Sequence, residues 1–316
     1  MNIIYKYLNI FDIDYFTEPT MKISVPEHFN DPFESAISTK TDEIIKYYLK
    51  DIYMMNKYDI STYYEKTRHY IDYKISSNGI ISLTRKNDDI LMWSHYADNH
   101  KGMCIGLEED FANHKAETGL LLDDPLLPIP VSYNQNRLDI NKAISIDRFA
   151  HDLYRAQVLN KYEEWKYEQE ERILIPIQFA DSILIQKSDE VKKIKFINNI
   201  EYEHSISEWI PKILSDKLLK EVKNHNKTYY KRGENLEMSL HSTFEMYLGR
   251  FEEAIFLMNI PKQKIKEVYF GCKTPESTIN KIHNQIIDPR NNLEHVKLFK
   301  FSLSPNKFEL LPNKIQ

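Results

Sequence analysis

The segment that decides the fold spans residues 79–110 and reads GIISLTRKNDDILMWSHYADNHKGMCIGLEED. Residues 80–84 form a short β-branched, apolar run, which predicts a strand. Residues 87–89 (Asn-Asp-Asp) supply an N-cap and first-turn acids for a helix, and residues 100–102 (His-Lys-Gly) end it with cations and a glycine stop. Residues 103–107 predict a second strand. The segment is therefore a strand–helix–strand unit.

The composition describes an ordinary globular protein. The chain has 316 residues, of which 42% are hydrophobic and 28% charged, with a net charge of −5 that argues against a dedicated nucleic-acid coat. Its two cysteines, Cys104 and Cys272, cannot build a disulfide framework, which favours a reducing cytoplasm. The N-terminus lacks the layout of a signal peptide, and no apolar run has the length of a membrane span. We therefore expect a cytoplasmic protein without a membrane partner.

Outside this segment, short strand patterns are separated by helical stretches of unequal length, which predicts an α+β fold rather than regular βαβ repeats. The clearest further strands are expected at 3–8, 22–25, 168–179, 191–197, 265–271 and 296–303, and the clearest further helices at 144–162, 206–223, 235–247 and 274–287. No linker or repeat divides the chain. We expect a single domain over 1–316 with helical insertions at about 41–74 and 181–259.

The predicted helix of the central segment carries aromatic and polar side chains. Trp93 fits the core best, because a large indole at such a position is usually buried. Tyr96 and His95 combine an apolar body with a polar tip, which suits the wall of a pocket. His95, Asp98 and His100 are too poorly spaced on a helix to share a metal ion, so no metal site is expected.

Two neighbouring carboxylates form a second candidate site. If a strand begins at Glu168, then Glu168 and Glu170 point the same way, about 6.5–7 Å apart along it, with Arg172 on the same side. In such a pair one carboxylate can stay ionised while its neighbour raises the pKa of the other, so the two groups can take different roles. An ionised glutamate near a sugar can stabilise an oxocarbenium-like transition state. A solvated acidic turn is the competing interpretation. Trp165 and Tyr167 favour the partly buried site, because they interleave aromatic rings with the acids.

The stretch FNDPFE at 29–34 predicts a tight turn whose asparagine and aspartate cap their own backbone. Whether it also touches a ligand stays open. HEXXH, Walker, GxGxxG, GxSxG and CxxC patterns are absent from the sequence. Their absence argues against the common classes of metalloprotease, nucleoside triphosphatase, α/β-hydrolase and thiol-redox protein that carry these motifs.

The sequence resembles an uncharacterised bacterial family, domain of unknown function 2971. The resemblance rests on five segments in the family's order: IYKYL at 4–8, FNDPFE at 29–34, ISLTRKNDDILMWSHYADNHKGMCIGLE at 81–108, WKYEQEER at 165–172 and IKEVYFG at 265–271. These segments are spread over most of the chain. The family's name carries no function.

A more distant resemblance relates the strand–helix–strand unit to the ADP-ribosyltransferase superfamily, which has a split mixed or antiparallel sheet. In that superfamily a first strand holds the cofactor's ribose, a second strand and the following helix surround the nicotinamide, and a later strand begins with the catalytic glutamate. PARP-like members have a glycine, a short strand, a helix that carries a serine and a tyrosine, and then another glycine and strand. In this sequence, Gly79 and residues 80–84, 94–96 and 102–107 follow a similar order. The sequence departs from the family at Lys6, where the family has His or Arg, and in the second strand, which lacks a clear tyrosine. The serine-to-tyrosine spacing in the helix is also one residue shorter.

The resemblance implies an NAD-dependent ADP-ribosyltransferase. Glu170 would stabilise positive charge as nicotinamide leaves, and Glu168 would orient or deprotonate the acceptor. The residues implied to bind the NAD are Tyr5, Lys6, Tyr7, Ser82, Thr84, Trp93, Ser94, His95, Tyr96 and Arg172.

The acceptor would be a protein or a nucleic acid. Bacterial enzymes of this kind are often toxins or phage-defence effectors, with room for an inhibitory partner protein. Two other functions stay open. One is an NAD or nucleotide-sugar hydrolase that uses the same carboxylate pair, and the other is a non-catalytic sensor that binds a ligand or partner.

Overall fold

The computed structural model describes residues 2–10, 14–29, 31–35, 38, 40–118, 122, 124–138, 145–185, 191–195, 201–205, 207–208, 219–224, 227–232, 248–249, 251 and 254–315. These residues form two main sheets with several helices, which confirms the α+β class. The ADP-ribosyltransferase-like arrangement stays a prediction. Among the described residues, no helix combines the length and the apolar character that a bilayer crossing needs.

An eight-stranded sheet forms the centre of the molecule. Every neighbouring pair in it is antiparallel except β15 (Ile265–Phe270) and β16 (Lys297–Leu303), which run parallel. In spatial order the strands are β17 (Leu310–Lys314), β16 (Lys297–Leu303), β15 (Ile265–Phe270), β4 (Met103–Glu108), β1 (Ile3–Leu8), β3 (Asn78–Thr84), β8 (Glu170–Pro176) and β5 (Ile129–Pro130).

A second, five-stranded sheet is antiparallel throughout. Its order is β12 (Leu219–Asn224), β13 (Lys227–Arg232), β9 (Ser182–Ile185), β14 (Ala254–Asn259) and β2 (Thr20–Ile23). Two further pairs are the antiparallel β10 (Val191–Lys195) and β11 (Glu201–Ser205), and the parallel β6 (Ser132–Asn134) and β7 (Asn160–Tyr162).

The helices cover the sheets and close three apolar clusters. In the part of the chain that the structure describes, the α-helices are α1 (Pro32–Ser35), α2 (Lys40–Tyr47), α3 (Lys57–Ser77), α4 (Ile90–Tyr96), α5 (Phe149–Val158) and α6 (Glu276–Ile287). The main core packs both sheets against α6, through fully buried side chains such as Phe256, Phe270 and Ile282. Helices α2, α3 and α5 form a second cluster, and α4 forms a third with strands of the large sheet.

The predicted strand–helix–strand unit is confirmed as β3, α4 and β4, with a shorter helix. Asp89 is the N-cap, because its side chain accepts hydrogen bonds from the N–H groups of Leu91 and Met92. The helix ends early because residues 98–100 all adopt positive φ values of 45°, 51° and 71°. The turn then closes on Gly102, where an added Cβ would lie 2.3 Å from the carbonyl oxygen of Leu8.

Strand β3 is shared between the two sheets, and this sharing creates a fork. At Thr84 it pairs with Tyr5 of β1, and this is the one register pair between those strands. At Ile80 it exchanges two backbone hydrogen bonds with Ser24, just beyond β2. Ser82 lies between these contacts, and its carbonyl accepts a 2.6 Å hydrogen bond from Lys6 Nζ instead. The sheets therefore separate at Ser82.

The predicted insertions differ in kind. The one at 41–74 is helical, since it contains α2 and most of α3. In the range 181–259 the described residues are mostly strands, β9 to β14, and the helix expected over 206–223 gives way at its end to β12. Pairing with neighbouring strands overrides the local helical pattern there. The helix expected at 235–247 lies outside the described residues.

Candidate functional site

A polar cavity of about 230 Å³ lies at the fork between the two sheets. Strands β1, β2, β3, β7 and β8 line it together with α1 and α4. Of the twelve residues that the sequence assigns to catalysis or NAD binding, nine lie in its wall: Tyr5, Lys6, Tyr7, Ser82, Thr84, Tyr96, Glu168, Glu170 and Arg172. Residues far apart in the sequence therefore meet at one place.

The other three of these twelve residues, all on α4, lie outside this wall. Trp93 is fully buried beside the rings of Tyr7 and Phe301, and its indole N–H donates to the carbonyl of Asn87. It anchors α4 in the core, as its size favours. His95 is exposed and faces the ring of Tyr167, and Ser94 is half-buried. The structure does not bring these three to the cavity.

Glu168 and Glu170 both line the cavity, but they do not lie on one strand as the sequence predicts. Strand β8 begins at Glu170, and Glu168 ends a 3₁₀ helix over Glu163–Glu168. Gln169 joins them with a left-handed φ of 44°. Both carboxylates accept from the ammonium of Lys161, at 2.6 Å for Glu168 and 2.9 Å for Glu170. The reversal at Gln169 is therefore what places the pair together.

The backbone around the pair is fixed by hydroxyl groups. The N–H of Glu170 donates to the hydroxyl of Tyr133 at 2.7 Å. The hydroxyl of Thr84 donates to the carbonyl of Glu168 at 2.6 Å. These bonds secure both glutamates against β3 and β6, so their positions do not depend on the ion pairs alone.

A buried arginine and a buried lysine hold the carboxylates. Arg172 donates from Nε and Nη2 to the two oxygens of Glu170, at 2.7 and 3.0 Å. Its Nη2 also reaches Glu34 at 2.5 Å, and Nη1 donates to the carbonyl of Val158. Lys161 lies 3.5 Å from Glu34 as well. Glu34, Glu168 and Glu170 thus share two buried cations.

These charges set the protonation states. Burial acts to raise the pKa of Glu170, but Arg172 and Lys161 outweigh it and hold that pKa at about 2. Burial raises the pKa of Glu34, and the charges of Arg172 and Lys161 limit the rise. Burial acts to lower the pKa of Lys161, yet the surrounding carboxylates raise it. Glu170 is therefore ionised at neutral pH.

Two further groups present protons to the cavity. The hydroxyl of Tyr96 donates to Glu168 at 2.6 Å. Burial and the adjacent Glu168 carboxylate raise the pKa of Tyr96, so this hydroxyl stays protonated. Burial lowers the pKa of Lys6 to about 8, although Glu170 opposes that change. Lys6 is therefore charged at neutral pH and loses its proton at mildly basic pH.

Sequence reasoning missed two members of this network. Glu34 belongs to the FNDPFE turn, whose Asp31 accepts from the N–H of Phe33 as a turn-forming residue should. That segment was part of the family resemblance, so a signal for Glu34 existed. Lys161 lies in β7, although the sequence predicts a helix over 144–162. A single lysine in a helical pattern gives no sign that it is buried.

The arrangement defines a class of protein: an α+β protein with a cluster of glutamates paired to buried cations at a fork between two sheets. Within the parts of the chain that are described, no group of three or more His, Cys, Asp or Glu side chains is placed to hold a metal ion. Fixed charge, hydroxyl donors and an aromatic wall are what such a cleft offers to a polar ligand.

A sequence comparison finds a similarity to one family over part of the chain. Residues 92–173 match the profile of a family described as "Protein of unknown function (DUF2971)", which confirms the resemblance over that segment. The matched segment includes Tyr96, Lys161, Glu168, Glu170 and Arg172 of the cleft. No curated protein and no solved structure matches the chain.

Proposed function

We propose that the cleft cleaves NAD and transfers ADP-ribose to a macromolecular acceptor. One observation carries the proposal: three neighbouring strands, β1, β3 and β8, present Lys6, Ser82 and Glu170 to one cavity. This is the order of cation, hydroxyl and glutamate that the ADP-ribosyltransferase resemblance implies. The alternative, that these residues lie scattered over the molecule, does not hold.

In the proposed reaction the bond between the ribose C1′ and the nicotinamide nitrogen breaks. Its electron pair goes to the pyridinium ring, which leaves as neutral nicotinamide, and positive charge develops on the ribose. Glu170, ionised and fixed in place, stabilises that charge without reorganising. The acceptor then attacks C1′, and Glu168 takes the acceptor's proton. Tyr96 and Tyr7 supply the aromatic wall for the nicotinamide.

The contacts of the two cations support different roles for them in this proposal. Arg172 is only 1% exposed and its guanidinium is engaged by Glu170, Glu34 and the carbonyl of Val158. It therefore positions glutamates and does not reach a phosphate. Among the described residues, Lys6 donates one hydrogen bond, to the carbonyl of Ser82, and it lines the cavity, so its ammonium is suited to a phosphate.

The size of the cavity restricts what it encloses. Its volume of about 230 Å³ lies below the range of about 300–1,000 Å³ that encloses drug-sized ligands. The nicotinamide and its ribose are the part of NAD that would be enclosed. The rest of the dinucleotide would lie beyond this cavity.

The ion pairs favour a second candidate, a non-catalytic ligand sensor. Glu170 accepts two bonds from Arg172 and one from Lys161, and such saturation is also found in networks that only support structure. A sensor would bind a ligand in the cleft without consuming it. Nicotinamide release therefore separates the two candidates.

The test is to incubate the purified protein with NAD and measure nicotinamide release, with and without cell lysate as a source of acceptor. Release in both conditions, with label from the adenylate half appearing on lysate macromolecules, supports transfer. Release without any labelled acceptor favours the NAD hydrolase. No release in either condition rejects the transferase and leaves the sensor.

A further inference from the structure

A second cavity of about 370 Å³ adjoins the glutamate cleft. The two cavities share Asp31, Glu34 and Lys161, so one ion-paired wall separates them. Beyond that wall the second cavity is built by α1, α5 and the parallel pair β6 and β7. Its volume falls inside the usual range for a small-molecule site. The cleft described above does not account for it.

Side-chain amides dominate the polar lining of this second cavity. Asn134, Gln135, Asn136, Gln157 and Asn160 all contribute to it. An amide presents a donor and an acceptor side by side, which matches the adjacent donor and acceptor groups on the edge of a nucleobase. Apart from the shared wall, Arg137 is its single charged lining residue among those described. The lining therefore suits a polar but uncharged ring.

One of these amides has a buried donor without a hydrogen-bond partner among the described residues. The side chains of Asn134 and Asn160 bond to each other at 2.8 Å, which builds the wall itself. Gln157 Nε2 is instead buried with no hydrogen-bond partner among the described residues. A buried donor without an acceptor is unfavourable. A ligand carbonyl or ring nitrogen in this cavity would satisfy it.

Flat surfaces complete the cavity. Phe33 is 64% exposed, unusual for a phenyl ring, and the guanidinium of Arg137 lies over it at 5.3 Å. Tyr162 contributes a second exposed ring, and Val158 an apolar contact. Aromatic faces and guanidinium planes are the platforms on which proteins stack bases.

We propose that this second cavity binds a nucleobase of a nucleoside or nucleotide, stacked at Phe33 and Arg137 and hydrogen-bonded by Gln157. The binding site stands on the cavity alone. Its use rests on the proposed function: the base belongs either to the adenosine half of NAD, whose nicotinamide half enters the glutamate cleft, or to a nucleic-acid acceptor. Both sources share the same recognition chemistry.

The test is calorimetric titration of the full chain with adenosine, guanosine, cytidine and uridine, and with ribose, which lacks a base. At least one nucleoside should bind, and ribose should not. Phe33→Ala should weaken that binding about tenfold or more, the scale of one lost base stack. Gln157→Leu should also weaken it. Tyr58→Ala is the matched control, because that ring is 82% exposed and lies outside both cavities, and it should bind like the unaltered protein.

Failure of all four nucleosides to bind would overturn the proposal, and so would equal affinity of the Phe33→Ala and Tyr58→Ala variants. The binding nucleoside is then added to the nicotinamide-release assay. Competition with NAD assigns the cavity to the adenine of NAD, and simultaneous binding assigns it to an acceptor. Base binding that depends on Phe33, without any NAD cleavage, would keep this site and reject the proposed function.

Discussion

At the residue scale, the cleft depends on a balance of opposite charges in a confined space. Arg172 is the centre of that balance, because it is almost fully buried and pairs with two carboxylates at once. Burying charges is costly, and removing one partner leaves the others uncompensated. The same fixed charges keep Glu170 ionised. Stability and the proposed chemistry therefore depend on the same contacts.

Arg172→Ala is expected to destabilise the fold by about 3–5 kcal/mol, the usual cost of breaking a buried ion pair from one side. Arg85→Ala is the matched control. Arg85 also forms a bidentate ion pair, with Glu171, but the Arg85 side chain is 34% exposed. It should cost about 1 kcal/mol or less. Urea unfolding of both variants measures the difference. Equal losses would mean that the Arg172 network is not effectively buried.

Lys6 predicts a pH dependence for the binding of NAD. Its pKa is lowered to about 8, so the ammonium present at neutral pH is lost as the pH rises through that value. If this ammonium attracts the phosphates, KM for NAD should rise above about pH 8 while kcat changes less. Lys6→Arg should keep its charge and delay the rise, and Lys6→Gln should start with a high KM and show no step. A wild-type KM that stays constant from pH 7 to 9.5 would contradict this role.

At the element scale, the turn after α4 fixes where Tyr96 lies. Its last left-handed residue, His100, packs against Gly271, and Lys273 donates from its N–H to the carbonyl of His100. A Cβ on Gly271 would lie 2.1 Å from that carbonyl oxygen, which is backbone and cannot swing aside. The end of the helix is thus locked by β15 and the turn after it.

Gly271→Ala is therefore expected to destabilise the protein by about 1–3 kcal/mol, the scale of overpacking, and to weaken the hydrogen bond between Tyr96 and Glu168. Gly106→Ala is the comparison, since its nearest neighbours are side chains at 3.0 Å and beyond that can adjust. Unfolding midpoints should fall further for Gly271→Ala. A larger loss for Gly106→Ala would show that the turn is not the rigid feature described.

The elements also show what a sequence can predict. The two strands and the start of the helix carry their signals locally, with the helix start marked by the cap at Asp89, so the sequence predicts them to within two residues. The early end of the helix at Tyr96 depends on the left-handed residues 98–100 and is not predicted. The segment of Lys161 is predicted as the end of a helix. The three-residue strand β7 that it forms instead depends on pairing with β6, which leaves no local signal in the sequence. The left-handed backbone conformation at Gln169 is not predictable either, because the position is not a glycine. Both features depend on packing that is distant in sequence.

At the scale of the whole molecule, the fork between the sheets brings the candidate residues together. Strand β3 pairs with β1 at one end and reaches Ser24 at the other, and no local pattern specifies such divided pairing. The resemblance, rather than periodicity, anticipated that Lys6, Ser82 and Glu170 would meet. It did not anticipate that Arg172 and Lys161 would hold the glutamates so tightly.

The measurement that tests the central claim most directly is nicotinamide release from NAD by the unaltered protein, by Glu170→Gln and by Glu108→Gln. Glu108 is the matched control, because it too is buried and paired with lysines, which hold its pKa at about 2, yet it lies outside the cleft. We expect release by the unaltered protein and by Glu108→Gln, and a loss of at least about 10²-fold in Glu170→Gln, which thermal unfolding should show to be folded.

Glu168→Gln completes the set. A dead Glu168→Gln beside an active Glu170→Gln would exchange the two roles, and full activity in both would remove the pair from the mechanism. Absence of nicotinamide release from the unaltered, folded protein would contradict the account that the cleft cleaves NAD.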